Sequence, residues 1–159
     1  MRLTLRIALI VTLSTLFVGM EPGDTQTVSV VNNLEFGDVF PGVPKSIDKA
    51  QTGAAEFSVS GNAGDEITVE FILPDYMSTT SGHSMRLVFG SADLAMDSSA
   101  SPNQSAPLND DLNPYIVQTY GIGANGLSVW LGGKAVPKLV QQPGNYSADI
   151  TITITYTGN

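Results

Sequence analysis

The chain has one histidine and no cysteine, and its many hydroxyls and carboxylates are poorly arranged for covalent chemistry. The single histidine, His83, sits among hydroxyls in "TTSGHSM", with Asp75 close in sequence. A Ser-His-Asp site needs a serine on a strained elbow beside an oxyanion hole, and no G-x-S-x-G occurs, so His83 reads as an exposed turn residue. One histidine and no cysteine exclude the usual zinc ligand sets. "GIGANG" spells the dinucleotide fingerprint with Gly121, Gly123 and Gly126, but that fingerprint works only where a strand feeds a helix whose N-terminus meets a pyrophosphate. Here the following "LSVWLGG" alternates as a strand, so the glycines read as a turn. "NDDLN" at Asn109 to Asn113 offers oxygen ligands to a hard cation such as calcium, without the loop spacing and closing Glu of a dedicated site, and reads first as solvated. No paired carboxylates stand at a spacing that argues for glycoside hydrolysis. The expectation is a protein that is not an enzyme, with no catalytic residues, no metal and no cofactor.

Binding chemistry has more material. Tyr76, Tyr115, Tyr120 and Trp130 could form a platform for sugar rings, with ordinary packing as the alternative. Trp130 has the parity opposite to Leu127, Val129 and Leu131, which puts it on an outer face if those three point inward and makes it the candidate ligand contact.

These side chains must be positioned by strands. Beyond the first twenty residues helical periodicity is almost absent, while period-two alternation recurs. Val28, Val30, Leu34 and Phe36 share one parity, as do Ala55, Phe57 and Val59, then Ile67, Val69, Phe71 and Leu73, then Met85, Leu87 and Phe89. The clearest run places Tyr146, Ala148, Ile150, Ile152, Ile154 and Tyr156 on one side, with Ser147, Asp149, Thr151, Thr153, Thr155 and Thr157 on the other. "FPGVP", "GNAGD", "GANG", "LGGK" and "QQPGN" punctuate the runs with residues suited to tight reversals. Several short strands separated in this way predict an all-β antiparallel sandwich. Ser91 to Pro114 does not fit. Rich in Ser, Asn, Asp and Pro, it reads as a solvated excursion with a short strand around Leu94 to Met96, or else as a binding loop.

The length suits one domain. In "MRLTLRIALIVTLSTLFVGM", Arg2 and Arg6 precede an apolar run from Ile7 to Met20, the layout of a secretory signal, so the expected division is a signal at 1–20 and a domain at 21–159. Small residues do not occupy both cleavage positions, which keeps an uncleaved anchor as the alternative. No later segment is apolar enough to span a membrane as a helix. Cleavage would take Arg2 and Arg6 from the seven basic residues and leave the fifteen acidic ones, moving the formal net charge from −8 to −10. Nucleic acid and anionic membrane surfaces are poor partners for such a chain. Without cysteine there is no disulfide or lipid anchor, so burial and backbone pairing alone must stabilise the exported domain.

"L-x-F-G" at Leu34 to Gly37, "F-x-V-x-G" at Phe57 to Gly61, the "LGG" turn at Leu131 to Gly133, and "P-G-x-Y-S" leading into the final alternating strand resemble, in order and spacing, the secreted family catalogued as domain of unknown function 4402. More distantly, the chain resembles the spore-coat-U-like pilins of archaic chaperone-usher systems. The resemblance implies an immunoglobulin-like sandwich exported to the periplasm or cell surface. For the pilin relatives it implies polymerisation in which each subunit lacks a strand, supplied first by a periplasmic chaperone and then by the N-terminal extension of the next subunit. The Cys pair common in such pilins is absent here. In "TQTVSVV", Thr27, Val28, Val30 and Val31 form the candidate donor strand, the alternative being that they are the domain's own first strand. Ile150, Ile152, Ile154 and Tyr156 form the candidate acceptor or edge strand. The leading expectation is a non-enzymatic structural protein, a pilin-like or surface-fibre subunit that associates with copies of itself by strand addition. The other is a self-complete, adhesin-like cell-surface module that binds glycan or protein.

Overall fold

The structure, a computed structural model, describes residues 2–3 and 26–158; the rest of the expected signal segment and its cleavage region lie outside the described residues. The strands are β1 (Arg2–Leu3), β2 (Thr27–Asn32), β3 (Gly37–Asp38), β4 (Lys45–Ile47), β5 (Ala55–Ser60), β6 (Glu66–Ile72), β7 (Tyr76–Ser78), β8 (Ser84–Val88), β9 (Leu94–Asp97), β10 (Asn109–Leu112), β11 (Gln118–Gly121), β12 (Leu127–Leu131), β13 (Gly133–Val136) and β14 (Thr151–Tyr156). No helix occurs among the described residues.

One layer is a five-stranded sheet in the order β10-β9-β12-β5-β2. The other combines the sets β4-β13-β8-β7 and β11-β6-β14, joined where Ser78 and Ser147 exchange backbone hydrogen bonds of 2.9 and 3.0 Å. The strand pairings are antiparallel, and β1 pairs separately with β3. The fold is the antiparallel β-sandwich that the alternation predicts.

Period two decides what is inside. Phe57 and Val59 of β5, Ile67 and Val69 of β6, Leu127, Val129 and Leu131 of β12, and Ile152 and Ile154 of β14 enter one core with Leu34, Phe36 and Tyr146. Phe57 meets Phe71 edge to face, ring centroids 5.7 Å apart, which sets a positive ring edge against a negative ring face. Tyr156 departs from the expected inward row: at the strand's end, where the sheet runs out, it is 43% exposed.

A corner stitches the layers together. β12 belongs to the five-stranded sheet and β13 to the other, with only Gly132 between them. A Cβ on Gly132 would lie 2.7 Å from the Ile47 carbonyl oxygen and 2.8 Å from the Lys49 amide nitrogen, backbone atoms that cannot swing aside. Gly132→Ala should therefore destabilise the fold by about 1–3 kcal/mol or more, as overpacking does. In the same urea titrations Ile152→Ala should cost about 2–5 kcal/mol, and Thr153→Ala, on the outer face, less than about 1 kcal/mol. Equal costs for the isoleucine and threonine changes would refute the inward assignment.

Candidate functional site

β14 and β2, six residues each, are the longest of the strands that end a sheet order. β14 pairs with β6 from Thr151↔Ile72 to Tyr156↔Ile67, and the Thr157 amide continues the ladder to the Glu66 carbonyl at 3.0 Å. In an antiparallel ladder, amides and carbonyls point toward the partner at every second residue, so Thr151, Thr153 and Thr155 direct theirs to β6. Ser147 has the same parity and is bonded to Ser78, which places β6 and β7 on one and the same edge of this segment. The opposite edge, made by the backbone groups of Ile150, Ile152 and Ile154, meets no strand among the described residues. Their side chains are sealed in the core. β14 contains no charged residue and no proline, so its edge lacks the usual guards against pairing with another chain.

The candidate donor segment is β2. Thr27, Val28 and Val30 pair with Ser60, Val59 and Phe57 of the same chain, and the register shifts between Val30 and Asn32, around Val31. Val28 joins the core, whereas Val31 is half exposed. β2 is the outer strand of its sheet, so its far edge has no partner strand among the described residues.

Trp130 alternates with Val129 and Leu131 along β12, yet it is only 2% exposed. The open outer face expected for it is a covered one, and no ring face is left for a sugar. Its indole N–H is buried without an acceptor among the described residues, a cost of about 1–3 kcal/mol that good packing of the ring must offset. Tyr76 and Tyr115 are exposed on β7 and on a loop, and Tyr120 on β11 donates its hydroxyl to Asn109 Oδ1 at 2.8 Å. The four rings lie on separate elements and build no common platform.

The cover comes from the segment expected to be a solvated excursion: residues 100–103 and 108–111 are exposed as expected, and the segment is also tied to the body. Its strand appears as β9, and all four β9 residues are buried, because β9 pairs with β12 on one side and β10 on the other while chain crosses its outer face. Ala95 stands opposite Trp130, and Asp97 opposite Ser128, so both share the outer face of the tryptophan. The Asp97 carboxylate accepts the amides of Ser99 and Asn103 at 2.8 and 3.0 Å, and Gln104 Nε2 donates to the carbonyls of Lys49 and Gln51 at 2.7 and 2.9 Å. Lys49 stands beside Gly132, beyond the other end of β12, so residues 99–104 run across the face that carries Trp130.

Lys49, its side chain 10% exposed, reaches Asp111 at 2.8 Å and Asp110 at 3.1 Å. Those carboxylates of "NDDLN" thus hold an ammonium group. Burial by itself would lower the Lys49 pKa, but the hydrogen bonds and charges of Asp111 and Asp110 outweigh it and hold the group above its ordinary 10.5. Nothing local in the sequence marks this contact, since Lys49 and Asp111 stand 62 residues apart.

"GIGANG" closes the β11–β12 connection. Gly123 and Gly126 exchange backbone hydrogen bonds of 3.1 Å, Gly126 has φ of +91°, and a Cβ on Gly123 would collide with the Ser98 carbonyl. His83 is exposed in the β7–β8 turn, where its amide donates to Thr79 Oγ1 at 3.1 Å. That turn and residues 143–147 border a cleft of about 490 Å³ lined mainly by hydroxyls, His83 and Asn145.

Two outcomes follow for the tied loop. Burial by itself would raise the Asp97 pKa, but the amides of Asn103 and Ser99 outweigh it and hold it below 3.8. The stabilisation from Asp97 should therefore be complete above its unfolded pKa and vanish as the pH falls through the folded one. In melts over roughly pH 2–5, Asp97→Asn should flatten part of the acid decline; an unchanged slope would show that the carboxylate does not pin the loop. Trp130 is the sole tryptophan and reports on the cover. Asp110→Asn with Asp111→Asn should raise acrylamide quenching of its fluorescence, and unchanged quenching would show that Lys49 does not hold the loop closed.

No curated protein matches the chain. The family described as Domain of unknown function (DUF4402) matches residues 22–156, which takes in β2 through β14 and therefore both long edge strands. Since the match spans most of its length, the chain belongs to the DUF4402 family.

Proposed function

We propose that the protein is an exported, non-enzymatic structural subunit, pilin-like in its assembly, that associates with copies of itself at the periplasm or cell surface by adding a β-strand to the free edge of β14. The observation that carries this reading is the uncharged row of backbone groups at Ile150, Ile152 and Ile154, which meets no strand among the described residues. An added strand would satisfy those groups without disturbing the core, because the side chains of the same residues are already buried. The strand offered by a neighbouring copy is β2, either through its own outer edge or by release from β5. A chaperone that covers the β14 edge would keep subunits apart before assembly.

A second reading, a self-complete binding module, is favoured by β2 being paired within its own chain. Its ligand, a glycan or a protein segment, would meet the hydroxyl-lined cleft beside His83, not Trp130.

The test uses the side chains of β14 that point outward. Lysine at Thr153 and Thr155 leaves the ladder to β6 intact while charging the edge, as edge strands are commonly protected. The Thr153→Lys/Thr155→Lys variant should keep the wild-type circular dichroism and a closely similar melting temperature, and lose filaments in negative-stain microscopy and oligomers in sedimentation. A wild-type protein that stays monomeric at every concentration would overturn the proposal, as would a variant that assembles like wild type. Deleting β2 is a poorer probe, because it also strips the partner from β5.

A further inference from the structure

Loop 39–44, "VFPGVP", and loop 137–142, "PKLVQQ", meet at one end of the sandwich, where the Gly42 amide donates to the Lys138 carbonyl at 2.9 Å. Phe40, Val43, Leu139 and Val140 are 70, 58, 87 and 82% exposed. Leu139 lies directly against Gly42, where an added Cβ would come within 2.8 Å of Leu139 Cδ2. Single exposed apolar side chains need no explanation, but a contiguous group does.

The second loop is held in this posture from below. Gln141, 7% exposed, accepts the Lys138 amide through Oε1 at 3.1 Å and donates through Nε2 to the Ser84 carbonyl at 3.0 Å and to the Tyr146 hydroxyl. Tyr146, fully buried, in turn donates to the Gln142 carbonyl at 2.7 Å. A buried, satisfied polar network therefore fixes the turn with Leu139 and Val140 outward, where a looser turn could fold them in.

Charge indicates what covers this tip. The exposed cations among the described residues are Arg86, Lys134 and Lys138, on β8, β13 and the chain running from β13 into the tip, and the half-buried Lys45 lies on β4 of the same set. The outer face of β6 and the carboxyl-terminal segment presents the opposite character. Register puts Glu70 beside Thr153 and Ile72 beside Thr151, Asp149 precedes them with the same outward parity, and Ile72 is 64% exposed. Within the two loops the one charge is Lys138, with the exposed Asp38 at the β3 border of the tip, and the apolar tip with its Lys138 side complements an acidic face with an apolar centre.

We propose that the tip formed by Phe40, Val43, Leu139, Val140 and Lys138 docks on the outer β6–β14 face of a second copy, at Ile72, Glu70 and Asp149. The contact joins two different surfaces, so it leaves a free tip and a free face on each pair and extends as a chain unless rotation closes it. It rests on the self-association reading and deepens it, since it would fix the approach of one subunit to the next, but it does not itself need strand pairing.

Sedimentation velocity of the mature chain tests it with two exposed-site variants, Leu139→Asp/Val140→Asp at the tip and Glu70→Lys on the face. Each alone should associate at least roughly tenfold more weakly than wild type, with unchanged circular dichroism. Mixed, they retain one intact tip and one intact face between them, so the mixture should associate more strongly than either variant alone. A tip variant that assembles like wild type, while Thr153→Lys/Thr155→Lys does not, would overturn the docking proposal and leave the edge reading standing; monomeric wild type would overturn both. Binding of wild type to zwitterionic phosphatidylcholine vesicles, lost in the tip variant without any change in self-association, would overturn the docking proposal by assigning the tip to a lipid surface.

Discussion

Ile150, Ile152 and Ile154 carry two constraints at once. Their side chains help close the core between the layers, and their backbone groups form the edge of β14 that faces away from β6 and β7. In an antiparallel strand the side-chain direction and the hydrogen-bonding direction both alternate with period two. Once the isoleucines point inward and the threonines bond to β6, the isoleucines must also face the far edge. The residues that form that edge are therefore the ones that cannot be replaced by charge without unsealing the core. Protection within β14 can come only from the threonines between them, and these are uncharged.

Three buried side chains, Lys49, Asp97 and Gln141, share one use. Asp97 and Lys49 draw residues 98–111 onto the body, and Gln141 sets the 138–142 turn. A buried polar group is costly unless its bonds are made, so each acts as a strong local constraint once they are. The sandwich core is apolar and determines the layers, while these few polar groups determine the loop surfaces that a partner would meet. Trp130 shows the consequence, being a potential surface ring that lies under cover.

Surface character is divided as well. Among the described residues the exposed cations Arg86, Lys134 and Lys138 lie on β8, β13 and the adjoining tip, with the exposed Asp38, Asp48 and Asp75 bordering the same set of strands, and the β6–β14 face carries Glu70 and Asp149. A chain with a formal net charge of −8 repels its own copies at long range, so any close approach of two copies depends on this local segregation to orient them.

Read alone, the sequence determined the all-β class, the inward rows of β5, β6, β12 and β14, and the turn at "GANG", because period-two burial and glycine turn chemistry are local properties. Tertiary structure alone decided which side of β14 faces β6, that β2 pairs with β5 in its own chain, that Trp130 is covered, and that Asp110 and Asp111 hold Lys49. It also brought Phe40 and Val43 beside Leu139 and Val140. Each of these joins residues far apart along the chain, and their distance in space is set by how the sheets close around the core, a quantity that no local pattern of residue types encodes.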